Sequence, residues 1–342
     1  MAKVEVLPAL RKLDAPEVTA SVRQTTSPPA AWAAQMEATS GVKVTRGSSG
    51  PPKGLIIDVA QALGVKLASA PDARLVENSR YGLLPRIGVD GARPFEVYSR
   101  AVGLDAGVRT GSPRVALVVG GFGVNADNVG SAIAQLPGAI TLGFAPAGAA
   151  VEQQAAKARE AGHETVLQAR LEKSPEAAGD LESHITSASE VDLDSLRWQM
   201  GRFTGYVAVI NDPGDRSVAD RRTMSPILQE IANRGLGYLD DGAPSRSVTL
   251  DLAGSLAMPS ALADIVIDAS ATPEAMEAAL SRLVELARQR GSAIGVASAT
   301  PASISRLARW GDELETKGVA LVPLSALMSG WTRPSAHESL RP

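Results

Sequence analysis

Residues 115–130 read VALVVGGFGVNADNVG, and this stretch decides the fold class of the chain. Five apolar residues are followed by two glycines, by Phe122 and Gly123, and then by a run typical of a helix start. A parallel strand that ends in glycines and leads into a helix is the repeating unit of α/β proteins. Many α/β proteins bind phosphate at such a turn, and some α/β barrels carry a metal ligand there. The stretch therefore raises two functional hypotheses.

The same alternation continues from Pro113 almost to the end of the chain. Short β-branched runs alternate with amphipathic helical stretches, several of which end at a glycine. The predicted strands read RVALVV, AITLGFA, ETVLQAR, YVAVIN, LGYLDD, ADIVIDA, SAIGVAS and VALVPLS. The predicted helix ends are at Gly162, Gly235, Gly291 and Gly318. Such a pattern favours an α/β fold with a deformed or incomplete (β/α) barrel of about seven to eight parallel strands over a three-layer sheet.

Composition divides the chain into four predicted parts. Residues 1–53 are rich in Pro, Ser and Gly and are expected to be a flexible lead or linker. Residues 54–111 are expected to form an ordered N-terminal extension that packs on the barrel, which itself occupies residues 112–330. Residues 331–342 form a tail. Within the barrel, the polar segment 172–191 interrupts the alternation and is predicted to be a loop or a mobile lid.

Charge and composition exclude several classes of protein. The 342 residues carry a net charge of −3, which gives no reason to expect nucleic acid as a partner. Because the chain has no cysteine, disulfides, thiolate metal sites and cysteine nucleophiles are excluded together. No apolar run approaches the ~20 residues that span a bilayer. The N-terminus as written does not read as a signal peptide, so we expect either a cytosolic protein or a mature or trimmed form.

The phosphate hypothesis is weakly supported by the glycine-rich turn. A dinucleotide fingerprint needs Gly-x-Gly-x-x-Gly, and here Gly121 and Gly123 are followed by Ala126 at the third position. The next predicted strand ends in residues 144–146, Phe-Ala-Pro, where an acid that holds the ribose is expected. The simpler interpretation is that these glycines only make a tight turn.

Histidines offer little support for a metal site. His163, His184 and His337 are the three in the chain, and no two of them have the i, i+3 or i, i+4 spacing of a zinc site. Each is predicted to lie on the surface. A site for Mg²⁺ or Ca²⁺ made of carboxylates alone stays open at this point.

Acidic residues follow several of the predicted strands. In a barrel the carboxyl ends of the strands meet on one face, where functional sites are built. The residues expected there are Glu172, Asp212, Asp215, Asp240 and Asp241, together with Arg216, Arg246 and Ser298. Acids at loop starts also cap helices or pair with arginines, so a ligand-binding role and a structural role are both open.

The order of the motifs resembles the divergent branch of the polysaccharide deacetylases over roughly residues 113–327. The matching phrases are RVALVVGGFG, LPGAITLGFAP, EAGHETVLQARLE, GRFTGYVAVINDPGDRSVADRRTMSPIL, RGLGYLDDGAPSRS and RGSAIGVASATPASI. The resemblance implies a deformed (β/α) barrel located in the bacterial envelope. In active members it implies a divalent metal, held by an aspartate and two histidines, that activates water to attack an N-acetyl or O-acetyl group.

Carried over by position, most of the family's functional set is missing. Gly120 and Gly121 stand where the resemblance implies two aspartates, and Gln168 stands where it implies a histidine. Asp212, beside Asn211, replaces a second histidine, and residues 297–299 read Ala-Ser-Ala in place of Gly-His-Pro. The positions that keep the family's character are Glu172, Arg216, Asp220, Asp240 and Arg246. We therefore predict no bound metal and no cofactor, with degenerate catalytic positions at 120, 121, 168, 212 and Ser298.

Three hypotheses about function follow. The favoured one is a non-catalytic deacetylase-like protein, periplasmic or envelope-associated, that binds a peptidoglycan-like or other glycan, or an envelope protein. The predicted binding residues are Glu172, Asn211, Asp212, Asp215, Arg216, Asp240, Asp241 and Arg246. The second is a hydrolase or deacetylase with a rebuilt pair of carboxylates. The third is an interaction module in which residues 54–111 and the flexible lead dock onto a partner, whereas the alternative is that residues 54–111 close the open side of the barrel.

Overall fold

The computed structural model describes residues 66–101, 111–123, 127–171, 193–242, 246–270 and 272–328. These residues all belong to one structural unit, Val59–Pro342. The predicted lead 1–53, the tail 331–342 and the predicted loop 172–191 lie outside the described residues. The same holds for Glu172, His184 and His337.

The described chain begins with small elements that precede the main sheet. They are a 3-10 helix at Ala73–Leu75, strands β1 Val76–Ser79 and β2 Gly82–Pro85, and the short helix α1 Pro94–Tyr98. Strands β1 and β2 form an antiparallel hairpin. The backbone N–H of Phe95 donates to the Gly235 carbonyl at 3.0 Å, which attaches α1 to the turn that precedes a central strand.

Nine further strands form the main sheet, and all of their pairings are parallel. They are β3 Arg114–Phe122, β4 Thr141–Phe144, β5 Thr165–Ala169, β6 Ala208–Asn211, β7 Gly237–Asp240, β8 Ser260–Leu262, β9 Ile265–Val266, β10 Ser292–Ser298 and β11 Ala320–Leu321. The order is β8-β7-β6-β5-β4-β3-β10-β9, and β11 pairs with the start of β3. Strands β4 to β7 are buried along their whole length, as expected of parallel strands covered on both faces.

The sheet curls into an open half-barrel, which confirms the predicted incomplete (β/α) barrel. Strands β8 and β9 lie at opposite ends of the strand order although they are consecutive in the chain. The Ala263 N–H donates to the Asp240 carbonyl at 2.9 Å, whereas the Asp264 N–H donates to the Ile294 carbonyl at 2.8 Å. The chain therefore leaves β7 and joins β10 between these two residues, where the sequence predicted one continuous strand.

Helices flank the sheet and follow the predicted pattern. They are α2 Asp127–Gln135, α3 Val151–Glu160, α4 Leu193–Met200, α5 Arg221–Asn233, α6 Thr249–Ser255, α7 Pro273–Arg290 and α8 Pro301–Thr316, with 3-10 helices at Arg216–Ala219 and Leu324–Leu327. The Thr272 hydroxyl caps α7, and Gly291 ends it with a left-handed φ of 84°. No helix in the described ranges is both long and apolar enough to span a bilayer.

The two faces of the sheet pack against different elements. Leu117 of β3 belongs to an apolar cluster that contains buried side chains of α2, α7 and α8. Its neighbour Val118 points to the opposite face, into a second cluster that contains Phe95 and Tyr98 of α1. The sheet is therefore packed against the flanking helices on one face and against the small N-terminal elements on the other.

Candidate functional site

The centre of the mouth, by which we mean the carboxyl ends of the strands, is occupied by one glutamine side chain. Gln168 of β5 is only 7% exposed. Its Oε1 accepts a hydrogen bond from the Gly121 N–H at 2.7 Å, and its Nε2 donates to Asp212 Oδ1 at 2.7 Å. The carboxamide thus links the end of β3 to the loop after β6. It passes β4 at Gly143, where an added Cβ would lie 3.1 Å from the Gly120 Cα.

The two glycines at the end of β3, Gly120 and Gly121, leave the space that the Gln168 side chain occupies. A Cβ built on Gly120 would lie 2.7 Å from Gln168 Oε1, closer than real Cβ contacts permit. Gly121 has a φ of 92°, a backbone conformation that residues with side chains rarely adopt. At the positions where the resemblance implies two aspartates, a side chain at 120 would therefore have to displace Gln168, and a side chain at 121 would strain the backbone.

The residues present do not fit the divalent metal that the resemblance implies. Both polar atoms of the Gln168 amide are committed to hydrogen bonds within the protein. Ser298 lies at the end of β10 with an exposed side chain, and its N–H donates to Asp268 Oδ2 at 2.8 Å. Within the described ranges, no three His, Cys, Asp or Glu side chains are grouped so that they could hold a metal ion. An amide and a single carboxylate are a poor donor set for such an ion.

His163 is not at the mouth, and the prediction that it lies on the surface is wrong. Its side chain is 1% exposed in the turn before β5, at the opposite end of the strands. Nδ1 lies 2.8 Å from the Ile140 carbonyl oxygen, to which the neutral imidazole donates. Burial lowers the pKa of His163, and the nearby Arg100 lowers it further. The ring is therefore a structural group in the turn between α3 and β5.

Asn211 and Asp241 form a reciprocal buried pair at the ends of β6 and β7. The Asn211 side chain donates from Nδ2 to Asp241 Oδ1 at 2.9 Å and accepts from the Asp241 N–H at 3.0 Å. The second oxygen of Asp241 accepts from the Gly214 N–H at 2.9 Å. The polar atoms of this pair are thus used to fix the loop after β6.

Asp240 and Asp215 organise neighbouring loops in the same way. The buried Asp240 carboxylate accepts from the Gly242 N–H at 2.9 Å, from the Thr249 hydroxyl at 2.6 Å and from the Ser247 hydroxyl. Asp215 Oδ2 accepts from the Leu171 N–H at 3.1 Å, and its Oδ1 caps the following 3-10 helix. Asp215 therefore caps a helix and Asp240 holds a loop, which is the structural role that the sequence left open.

Two further aspartates also hold loops. Asp220 caps α5 by accepting from the Arg222 N–H at 3.1 Å and the Thr223 hydroxyl at 2.6 Å. The hydrogen bond from the Thr223 hydroxyl, followed by that from the Arg222 N–H, lowers the pKa of Asp220. Asp268 accepts from the Ser303 hydroxyl at 3.0 Å as well as from Ser298. The sequence analysis missed Asp268, although it lies inside the predicted strand ADIVIDA, near its end.

A different set of side chains is exposed at the mouth. Arg170, which directly follows β5 and was not predicted, is 44% exposed, and its Nε lies 3.6 Å from Asp212 Oδ2. Asp212 itself is 36% exposed. Arg216, at the start of its 3-10 helix, and Arg246, after β7, are also exposed. Three arginines are therefore exposed in this part of the mouth, while Asp215, Asp240 and Asp241 are buried.

Comparisons with known proteins identify the family of this chain and two similar proteins. A family model for divergent polysaccharide deacetylases matches residues 117–328, close to the predicted range 113–327. The uncharacterized protein YibQ of Escherichia coli (strain K12) is 23% identical over 219 residues, which cover 63% of this chain and 67% of YibQ. The crystal structure of the uncharacterized protein ATU2773 from Agrobacterium tumefaciens C58 is 35% identical with a TM-score of 0.65, and the match covers 72% of this chain and 99% of that chain.

Proposed function

This chain belongs to the divergent polysaccharide deacetylase family, and we propose that it is a non-catalytic member that binds a glycan of the bacterial cell envelope through its mouth. One observation carries the non-catalytic part. The Gln168 carboxamide bridges Gly121 and Asp212 at the centre of the mouth, where the family's metal ligands are expected. A deacetylase that lacks its metal site has lost the group that activates water. A protein can keep a glycan-binding surface after it has lost catalysis, because the fold and the catalytic site are separable.

The geometry gives little support to a rebuilt hydrolase. Acid–base hydrolysis without a metal needs two carboxylates that both reach the scissile bond from one cleft. Asp240 and Asp241 are buried and accept several hydrogen bonds each. Among the described acids at the strand ends of β6 and β7, Asp212 is the one with substantial exposure beside the glutamine. A single carboxylate can bind a hydroxyl group of a sugar, but it cannot supply both an acid and a base.

The aromatic residues of the N-terminal segment favour closure of the half-barrel over docking to a partner. Phe95 is 7% exposed and Tyr98 is 2% exposed, and both pack in the apolar cluster on one face of the sheet. The Tyr98 hydroxyl accepts from the Asp72 N–H at 2.9 Å. Because these side chains are already buried, they do not offer an apolar surface to a protein partner.

An acetate-release assay tests the non-catalytic part. The purified protein is incubated with acetylated chitooligosaccharides and with O-acetylated peptidoglycan fragments, each with Zn²⁺, Co²⁺ or Mn²⁺. We expect acetate at the level of the protein-free blank. Steady acetate release that increases with protein concentration and is lost in Asp212→Asn would overturn the proposal.

Glycan binding is tested with a variant that blocks the mouth. Ser298→Trp places a large side chain at an exposed position of the mouth, and Ser281→Trp places it on the exposed side of α7 as a matched control. We expect peptidoglycan fragments to bind the wild type and Ser281→Trp and to lose affinity for Ser298→Trp. Equal binding by all three proteins would place the glycan elsewhere. Recovery of the native protein in the cytosolic rather than the envelope fraction of its cell would remove the envelope location.

A further inference from the structure

At the mouth, three arginines are exposed, whereas Asp215, Asp240 and Asp241 are buried. The described aspartates that follow or end β6, β7 and β9 accept hydrogen bonds from loop amides or from hydroxyl or amide side chains. They are Asp212, Asp215, Asp220, Asp240, Asp241 and Asp268. Arg170, Arg216 and Arg246 have exposed side chains, and we refer to these three as the arginine rim. The chain as a whole has a net charge of −3, so a rim of this sign is not a consequence of its composition.

Backbone contacts bring the three segments of the arginine rim together. The residue after Arg170 donates its N–H to Asp215, which directly precedes Arg216. Arg216 begins the 3-10 helix Arg216–Ala219, and Val218 in that helix accepts from the Val248 N–H at 3.0 Å. Arg246 lies two residues before Val248. These two hydrogen bonds make the three segments neighbours at the mouth.

We infer that the arginine rim binds an oxyanion carried by the glycan, either a carboxylate or a phosphate group. A guanidinium is planar, stays charged at any physiological pH and offers paired N–H donors that match both groups. Asp212 Oδ2 lies 3.6 Å from Nε of Arg170 in the rim, and its Oδ1 is already engaged by Gln168. Its remaining charge repels an anion from the centre of the mouth and so directs it towards Arg216 and Arg246. This assignment rests on the proposed function, because it names the chemical class of the glycan.

A calorimetric titration at low and at physiological salt tests the inference. The ligands are tetragalacturonic acid, its uncharged methyl ester, and a phosphorylated cellotetraose beside unmodified cellotetraose. The rim variant is Arg170→Gln combined with Arg216→Gln and Arg246→Gln. A control with the same loss of charge combines Arg282→Gln, Arg288→Gln and Arg309→Gln, which are exposed positions on α7 and α8.

We expect the wild type and the control to bind at least one charged sugar roughly tenfold or more tightly than its neutral counterpart, since hydrogen bonds to charged groups are the strong ones. The rim variant should lose that preference, and higher salt should reduce it. Preference for the galacturonate assigns a carboxylate, and preference for the phosphorylated sugar assigns a phosphate.

Two other outcomes separate this inference from the proposed function. Equal affinity for charged and neutral sugars overturns the rim assignment while glycan binding stands. The reverse result is that no sugar binds, whereas inorganic pyrophosphate raises the melting temperature of the wild type and not of the rim variant. That result retains the anion site and overturns the glycan. A rim variant that keeps the full preference for the charged sugar overturns the inference outright.

Discussion

The two ends of the same parallel strands use charged residues in opposite ways. At the amino ends, Arg159 is buried and donates to the carbonyls of Ala68 at 2.8 Å, Gly205 at 2.6 Å and Tyr98 at 3.2 Å. Burial lowers the pKa of Arg159 to about 10. At the mouth, by contrast, Arg170, Arg216 and Arg246 are exposed, while Asp215, Asp240 and Asp241 are buried. We refer to the amino ends, with their buried Arg159, His163 and Glu164, as the base.

The amino ends of the strands also contain a buried carboxylate, that of Glu164. Its hydrogen-bond partners indicate a structural role. Glu164 accepts from the Arg100 N–H at 2.7 Å, the Ser325 N–H at 3.2 Å and the Ser325 hydroxyl. Burial raises the pKa of Glu164, and these hydrogen bonds oppose that effect. Arg159 and Glu164 thus tie segments from both ends of the described chain to the sheet. Charge at the base therefore holds the fold together, whereas Arg170, Arg216 and Arg246 at the mouth are exposed to solvent.

Replacement of Arg159 by methionine should give the largest effect on stability. The apolar chain of methionine fills similar space but removes a donor from the buried carbonyls of Tyr98 and Gly205 and from the more exposed carbonyl of Ala68, and it removes the positive charge near Glu164. We expect a loss of about 3 kcal/mol or more in the free energy of unfolding, measured by urea titration at pH 7. Arg288→Met, which removes one exposed hydrogen bond to the Lys317 carbonyl, is the control and should change little. If both variants lost a similar free energy of unfolding, the buried charge at the amino ends of the strands would stabilise the fold no more than an exposed charge does.

Gly120→Ala should have the next largest effect on the free energy of unfolding. It tests the packing at the mouth by the same measurement. Gly120→Ala forces the Gln168 amide to move, which should cost about 1–3 kcal/mol. In a Gln168→Ala background the same change should cost close to nothing, so the double-mutant cycle should show strong coupling. Gly130→Ala on α2, where an added Cβ meets no neighbour, should instead stabilise by roughly 0.5–1 kcal/mol. Equal costs of Gly120→Ala in both backgrounds would show that Gln168 does not occupy that space.

The parts of the fold that depend on local pattern could be predicted from the sequence. Buried β-branched runs, a capping Thr272 and the glycines at helix ends identify the strands and helices because each acts within a few residues. The crossing from β7 to β10 at Asp264 was missed, since it depends on the Ile294 backbone about 30 residues away. The burial of His163 was missed for a similar reason, because its partner Ile140 lies in the turn before a neighbouring strand.

At the site, the sequence could show which ligands were missing but not what fills their place. Gln168 and Gly121 were recognised as degenerate positions, yet the hydrogen bond between them joins β5 to β3 across β4, which the sequence alone does not reveal. The choice between capping and binding for Asp240 was left open. The chain folds Thr249 back onto that carboxylate, a contact that spacing alone does not reveal.

A fall in pH should reduce the free energy of unfolding through His163, which is buried at the amino ends of the strands. Its pKa in the folded state is lowered, so below pH 6.5 the unfolded chain binds a proton more readily than the native protein does. The histidine's contribution to stability is therefore complete above pH 6.5 and is lost as the pH falls towards its folded pKa, with a slope of at most about 1.4 kcal/mol per pH unit. Urea titrations between pH 5 and 7.5 measure that slope.

The control for this slope is His163→Asn, which keeps a donor for the Ile140 carbonyl but does not titrate. Glu164 has a raised pKa and acts in the opposite direction, since its stabilising contribution grows as the pH falls. Its effect is common to both proteins, so the difference between their pH profiles isolates the histidine. Parallel profiles would show that the imidazole of His163 is protonated equally easily in the folded and unfolded chains.

The smallest effect is expected at Asp212, and it shows how the mouth differs from the base. Asp212→Asn removes the charge but keeps an oxygen that can accept from Gln168 Nε2, and the exposed pair with Arg170 contributes little. We expect a change within about 0.5 kcal/mol for Asp212→Asn, and a loss of about 1 kcal/mol for Asp212→Ala, which leaves the Gln168 donor without its acceptor. Urea titrations at low and high salt distinguish the contribution of the Asp212 charge from that of its hydrogen bond with Gln168. If Asp212→Asn cost as much as Asp212→Ala, and if salt removed the difference from wild type, the negative charge would be the stabilising feature. The mouth would then depend on charge as the base does, and its arginines would be less available to a ligand.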